Sequence, residues 1–174
     1  LGTTLYVGNG RVGVGMTSPG FLLEVNGVSV SSGIGDASSA AAGRLGEVLS
    51  NNLGSTQDLA PSTVFVAIAT VTLTPGDWDV TASAHLNTGG TTVATRAAAY
   101  ISNSNTVSDT ASANSAWDDT RSFAVSGTFQ NSIGPRRVNI SVVTNYYLLG
   151  VVTYSTLGGA TWNTNSRIQA RRVR

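Results

Sequence analysis

Residues 77–87, DWDVTASAHLN, alternate without a break. Trp78, Val80, Ala82, Ala84 and Leu86 fall on one side, and Asp77, Asp79, Thr81, Ser83, His85 and Asn87 on the other. A period of two held this long is a β-strand with one dry face; a helix would scatter these residues around its axis. A dry face needs a second layer to cover it, so the chain must supply another sheet. The preceding TPGD (74–77) has Pro second and Gly third, the type II turn pattern. Before it, TVFVAIATVTL (63–73) is apolar on both faces at first and then alternates Val71 and Leu73 against threonines. The pattern predicts a β-hairpin over 63–87.

The same texture continues. GEVLSNN (46–52), ATRAAAYIS (94–102), RSFAVSGTF (121–129), RRVNISVV (136–143), YYLLGVVTY (146–154) and SRIQARRVR (166–174) read as further strands. NTGGTT, NSNTVSDTASANSAWDD, QNSIGP and STLGGAT read as the loops between them. No stretch has helical periodicity. The expectation is an all-β protein whose residues 44–174 form an eight-stranded antiparallel β-sandwich of the jelly-roll kind. YYLLGVVTY is apolar on both faces, so its outer side is covered either by another subunit or by the chain's own loops.

The first thirty residues differ. GRVGVGMTSPGFLLEVNG (10–27) holds five glycines, with Val12, Val14 and Met16 alternating against Gly13 and Gly15. Glycine permits close backbone approach or positive φ. The stripe is too thin to bury itself in one chain. SSGIGDASSAAAG (31–43) is small, polar and low in complexity, a linker, in which Asp36 could cap one helical turn.

Charged residues make up 11% of the 174 and the net charge is +1, against about a quarter charged in ordinary domains. The surface must therefore be solvated by hydroxyls and amides. A disordered chain would carry more net charge. There is no cysteine, which excludes disulfides and thiolate metal sites. All ten basic residues are Arg, and four of them close the chain: Arg167, Arg171, Arg172 and Arg174. They are expected to pair with carboxylates of this or a neighbouring chain. The charge is too small for a nucleic-acid partner, and no apolar run reaches the ~18 residues of a membrane span. The chain does not begin with Met, so it is expected to be the C-terminal part of a longer polypeptide.

The stretch LYVGNGRVGVGMTSPGFLLEVNG resembles a motif of bacteriophage tail-fibre and tailspike shafts, G-N-V-G-I-G-T-T-S-P-x-x-x-L-x-V-N-G. Gly10, Val12, Gly13, Val14, Gly15, Thr17, Ser18, Pro19, Leu23, Val25, Asn26 and Gly27 match it, while Met16 replaces a common Thr. LTPGDWDVTASAHL (73–86) and the ending YYLLGVVTY…RIQARRVR resemble the C-terminal heads of such fibres, similar to the tumour-necrosis-factor/C1q-like trimeric jelly roll. The resemblance implies a homotrimer: an intertwined β shaft over 1–30, a linker over 31–43 and a head over 44–174. Val12, Val14, Met16, Leu23 and Val25 would form the shaft core. It further implies a virion protein that contacts a bacterial surface glycan or outer-membrane protein, and joins other virion tail proteins through a preceding part. A capsid-attached fibre or decoration protein, a polysaccharide-degrading tailspike fragment and a bacterial C1q-like adhesin are the alternatives.

Chemistry leaves few candidates. The single histidine, His85, shares a strand face with Asp79 and Ser83, whereas triads draw on separate elements, and no G-x-S-x-G elbow is present. Asp77 and Asp79 share a strand face and Asp118 and Asp119 are adjacent, whereas glycoside hydrolysis needs two carboxyls across a cleft. Asp118 and Asp119 could hold Ca²⁺ with loop carbonyls, but no EF-hand spacing supports it. No nucleotide fingerprint is present. The expectation is no catalytic residue, no cofactor and no metal. Sugar recognition needs an exposed aromatic plane ringed by amides and carboxylates. Trp117 with Asp118 and Asp119, and Trp162 with Asn163, meet that description; the alternative for both is a Trp packed under its own loop. Trp78, on the dry face, is core.

Overall fold

In a computed structural model, residues 5–25, 40, 42–89, 91–106, 116–119 and 127–173 are described. The chain forms two compact units, Leu1–Ser38 and Ser39–Arg174. Most of the linker expected at 31–43, with its helical turn, lies outside the described residues.

The first unit is a three-stranded sheet of β1 (Leu5–Gly8), β2 (Arg11–Val14) and β3 (Leu23–Val25). β1 and β2 form a hairpin closed by Asn9 and Gly10, with φ of 53° and 72°. Two positive φ values at a two-residue loop make a type I′ turn, whose twist matches that of paired strands. β3 returns parallel to β2. The intervening segment is tied down by Val12 N–H donating to Leu22 O at 2.8 Å and by the Arg11 guanidinium donating to Pro19 O at 2.9 Å.

The second unit holds β4 (Val48–Asn52), β5 (Gln57–Asp58), β6 (Val66–Leu73), β7 (Gly76–Thr88), β8 (Val93–Ser102), β9 (Ala116–Asp119), β10 (Gly127–Ile140), β11 (Thr144–Thr156), β12 (Thr161–Trp162) and β13 (Arg167–Arg172). All its pairings are antiparallel. β12 and β13 lie end to end along β7, with β5 and β4 outside them, and β10 flanks β7 on the other side. The second sheet runs β6-β11-β8-β9. Each sheet thus has four rows, and consecutive strands mostly alternate between the sheets. This is the order of a jelly roll, two Greek keys folded into a sandwich. The all-β sandwich expected from the alternation is present.

Two local expectations need correction. Residues 63–87 are not a hairpin: β6 pairs with β11, and β7 with β10 and β13, in opposite sheets. The TPGD turn is therefore an arch across the sandwich. Each of the two strands carries an apolar face, and opposing sheets let both faces meet in one core. The second correction concerns 121–143. QNSIGP is not a loop; β10 runs unbroken from Gly127 to Ile140, with a bulge between Ile133 and Arg136 that absorbs Gly134 and Pro135. A bulge is where a strand tolerates such residues. β9, at 116–119, supplies the missing row; residues 121–126 lie outside the described ones.

The dry face of β7 faces inward as its alternation predicted, and Trp78, Val80, Ala84 and Leu86 are completely buried. Ile68, Ile101, Leu148 and Ile168 meet them from the other strands. On β11 the inward residues are Leu148, Gly150 and Val152. Leu149 and Val151 point outward yet are buried within one chain. By register they stand opposite Tyr100 and Ala98. Phe65 packs edge to face on Tyr100 at 5.8 Å, and Arg96 donates to the Tyr100 hydroxyl at 3.0 Å. This outer side is closed within the chain, so no second subunit is needed to cover it.

One end of the sandwich is locked by charge. Arg172 is buried on the inner side of β13, 3.0 Å from Glu47 and 4.3 Å above the Trp78 ring. It also donates to Pro75 O at 2.7 Å and to Thr74 Oγ1, and Trp78 Nε1 donates to Thr74 O at 2.9 Å. A buried charge survives only when paired and hydrogen-bonded all round. Arg172 satisfies that condition and clamps the 74–77 turn to the last strand. The pairing expected for the terminal arginines thus holds for Arg172, within the chain.

Candidate interaction surface

In the first unit the register builds two apolar rows. Val7, Val12 and Leu23 stand side by side across β1, β2 and β3, and Leu5, Val14 and Val25 form the next row. All six share one face, because side chains two apart on a strand point the same way. Little covers that face within the chain: Leu5, Val7, Leu23 and Val25 are 40–71% exposed, and Val12 and Val14 are half-buried. Phe21 and Leu22 beside them are more exposed still. The anticipated residues Val12, Val14, Leu23 and Val25 do come together.

Met16 does not join them. Gly15, at φ 75°, ends the strand and breaks the alternation. The chain then folds back, and a Cβ on Gly13 would stand 2.9 Å from Met16 Cγ and 3.4 Å from Pro19 Cδ. Met16 therefore covers the opposite face, over Gly13, which has to be glycine because that space is taken. Leu5 and Val7 belong to the same face, although they are not among the residues expected to form the shaft core. Their signal was the alternation in LYV leading into Asn9-Gly10, a strong short-range hairpin cue.

In the second unit the two proposed aromatic sites fare differently. Trp162 is completely buried, so it offers no plane to a sugar. β12 sets it beside Leu86 of β7, and its indole packs on the backbone of Gly150. Asn163 is a turn former. Its side-chain oxygen accepts from Asn165 N–H at 2.9 Å, and its own N–H donates to His85 O at 2.8 Å. Trp117, Asp118 and Asp119 lie not in a loop but on the edge strand β9, opposite Ala99, Ala98 and Ala97 of β8.

Asp77, Asp79 and His85 are engaged structurally. Asp77 and Asp79 both face Arg137 at 3.4 Å, and Asn139 donates to Asp77 at 2.5 Å. The bridge from Arg137 holds β7 to β10 and offsets part of the charge of the carboxylate pair. His85 is buried, and burial pulls its pKa below the usual 6.5. The nearby Ser166 Oγ hydrogen-bonds the backbone of His85, accepting from its N–H at 3.0 Å. Among the described residues no cluster of His, Asp or Glu could hold a metal ion, and no helix is long and apolar enough to cross a membrane.

No protein-family model matches the chain, and no curated protein matches it in sequence. Among solved structures it is similar to infectious bursal disease virus of the Gt strain, at 10% identity and a TM-score of 0.44, over 82% of this chain and 36% of that one. It is also similar to a mutant VP2 protein of the same virus in T=1 particles, at 10% identity and a TM-score of 0.45, over 82% and 36% of the two chains. The chain spans little more than a third of the length of those proteins.

Proposed function

We infer that this chain is a structural virion protein, the distal part of a homotrimeric phage tail fibre, which binds the bacterial surface without turnover. The observation that carries the reading is the pair of apolar rows in the first unit. Of six aliphatic side chains on one face of a three-stranded sheet, four are left exposed by their own chain and two are only half-buried. An apolar face left open to water forgoes the free energy that burial would gain; three copies around an axis would bury all six residues at once. The same stretch holds the shaft-like motif, and the jelly-roll head follows it. Three heads on one axis would bind a repetitive surface with avidity, since the later contacts are intramolecular.

The test is the solution mass together with host adsorption. Light scattering at micromolar concentration is expected to give three times 17.8 kDa, and the purified chain is expected to slow adsorption of the parent phage to its host. A monomer at that concentration overturns the trimer, and undiminished adsorption overturns the receptor-binding role.

A further inference from the structure

The outward face of the β7 sheet carries a second feature. Ser132 of β10, Ser83 of β7, Arg167 of β13 and Asn52 of β4 stand in one line across four strands. In the next line Thr81 is opposite Gln169, but on its other side the ladder skips, because the bulge after Ile133 leaves Thr81 without a partner on β10. The gap opens a shallow depression of about 220 Å³, lined by Thr81, Ser83, Ser132, Gln169 and Arg167 together with Ala82 and Ile133. Bulges commonly re-aim side chains beside binding sites in this way.

The chemistry of the depression is specific. Three hydroxyls and an amide offer donors and acceptors beside the apolar Ala82 and Ile133. Its one charge is Arg167, an exposed residue on which no carboxylate closes among the described residues. Arg171, four residues further along β13 and on the same face, is also exposed. By contrast Arg137 on that face is already bridged to Asp77 and Asp79. A planar guanidinium beside hydroxyls matches a carboxylate bidentately and the sugar hydroxyls around it.

The geometry points to a binding site for a carboxylate-bearing saccharide in this depression. Arg167 takes the carboxylate, and Ser83, Ser132, Thr81 and Gln169 take the ring hydroxyls. The site deepens the receptor-binding reading above and rests on it for its biological setting. A galacturonate hexamer is titrated calorimetrically into the full chain, alongside its carboxyl-reduced counterpart. The acidic oligomer is expected to bind and the reduced one to bind at least tenfold more weakly. Arg167→Gln should lower affinity for the acidic oligomer at least tenfold, and Ser83→Val, which fills the floor, should do the same with an unchanged melting curve. Equal binding by wild type and Arg167→Gln overturns the site, as does equal binding of the reduced oligomer. Phage adsorption separates the two claims. If the chain blocks adsorption but Arg167→Gln blocks it equally well, the site is wrong and the fibre reading stands. If the acidic oligomer binds at Arg167 but the chain leaves adsorption untouched, the site stands and the fibre reading fails.

Discussion

The indole of Trp162 packs so closely on Gly150 that a Cβ at that glycine would stand 2.3 Å from Cζ2 and 2.5 Å from Cε2. Ile68 Cδ1 would be 2.7 Å away on the same side. Gly150→Ala is therefore expected to destabilise the head by about 3 kcal/mol, since overpacking a dense core forces its neighbours off their rotamers. Urea denaturation followed by Trp fluorescence measures this. A loss under about 0.5 kcal/mol would mean that the indole is free to move aside.

Glu47 and Arg172 form a buried pair. Removing one partner strands the other's charge away from water, at a cost of about 3–5 kcal/mol. Glu47→Leu is expected to show that loss. Arg172→Met made in the same background should recover much of it, because a buried pair exchanged for apolar groups is often near neutral. A double-variant cycle by chemical denaturation reads the coupling. Additive losses would show that Arg172 is held by Thr74, Pro75 and Trp78 rather than by the carboxylate.

Burial holds the pKa of His85 below its usual 6.5. In the unfolded chain the imidazole protonates near that value, and in the folded chain only at lower pH. Between the two values the unfolded state binds more protons, so stability falls as pH falls below about 6.5. Thermal melts from pH 7.5 to 5 should show this loss, and His85→Gln should flatten that part of the profile. An unaltered slope in the variant would assign the loss to other groups.

Val14 stands between Leu5 and Val25 in an apolar row. On the trimer reading, Val14→Asp places three carboxylates close to one axis. The variant is expected to sediment as a monomer while the head keeps its own melting transition. A trimer that survives with unchanged melting would show that this face is not where the copies meet.

Much of the sandwich was legible in the sequence, and for a local reason. Side-chain alternation is a property of each strand alone, so it places Trp78, Val80, Ala84 and Leu86 in the core whatever strands pair with β7. The shaft-like rows were half legible. Val12, Val14, Leu23 and Val25 share a face as expected, but Met16 crosses to the other, because the positive φ of Gly15 resets the alternation after Val14. The candidate sugar sites were least legible. Trp162 sits among small and amide residues, a composition equally suited to a loop tip and to a short strand under the core. Its burial depends on Gly150, twelve positions away and on the opposite sheet.

The sequence by itself determined the all-β character, the wet and dry faces of the main strands, and the sparse charge that leaves hydroxyls and amides on the surface. These follow from residue type and spacing along a few consecutive positions. Only the tertiary structure decided which sheet each strand joins, that 63–87 arches between layers, and that β10 runs through a bulge. It also decided that Arg172 turns inward to Glu47 while Arg167 stays in solvent. Strand pairing is made between residues tens of positions apart, and its energy depends on the partner's face and register, which no local stretch encodes.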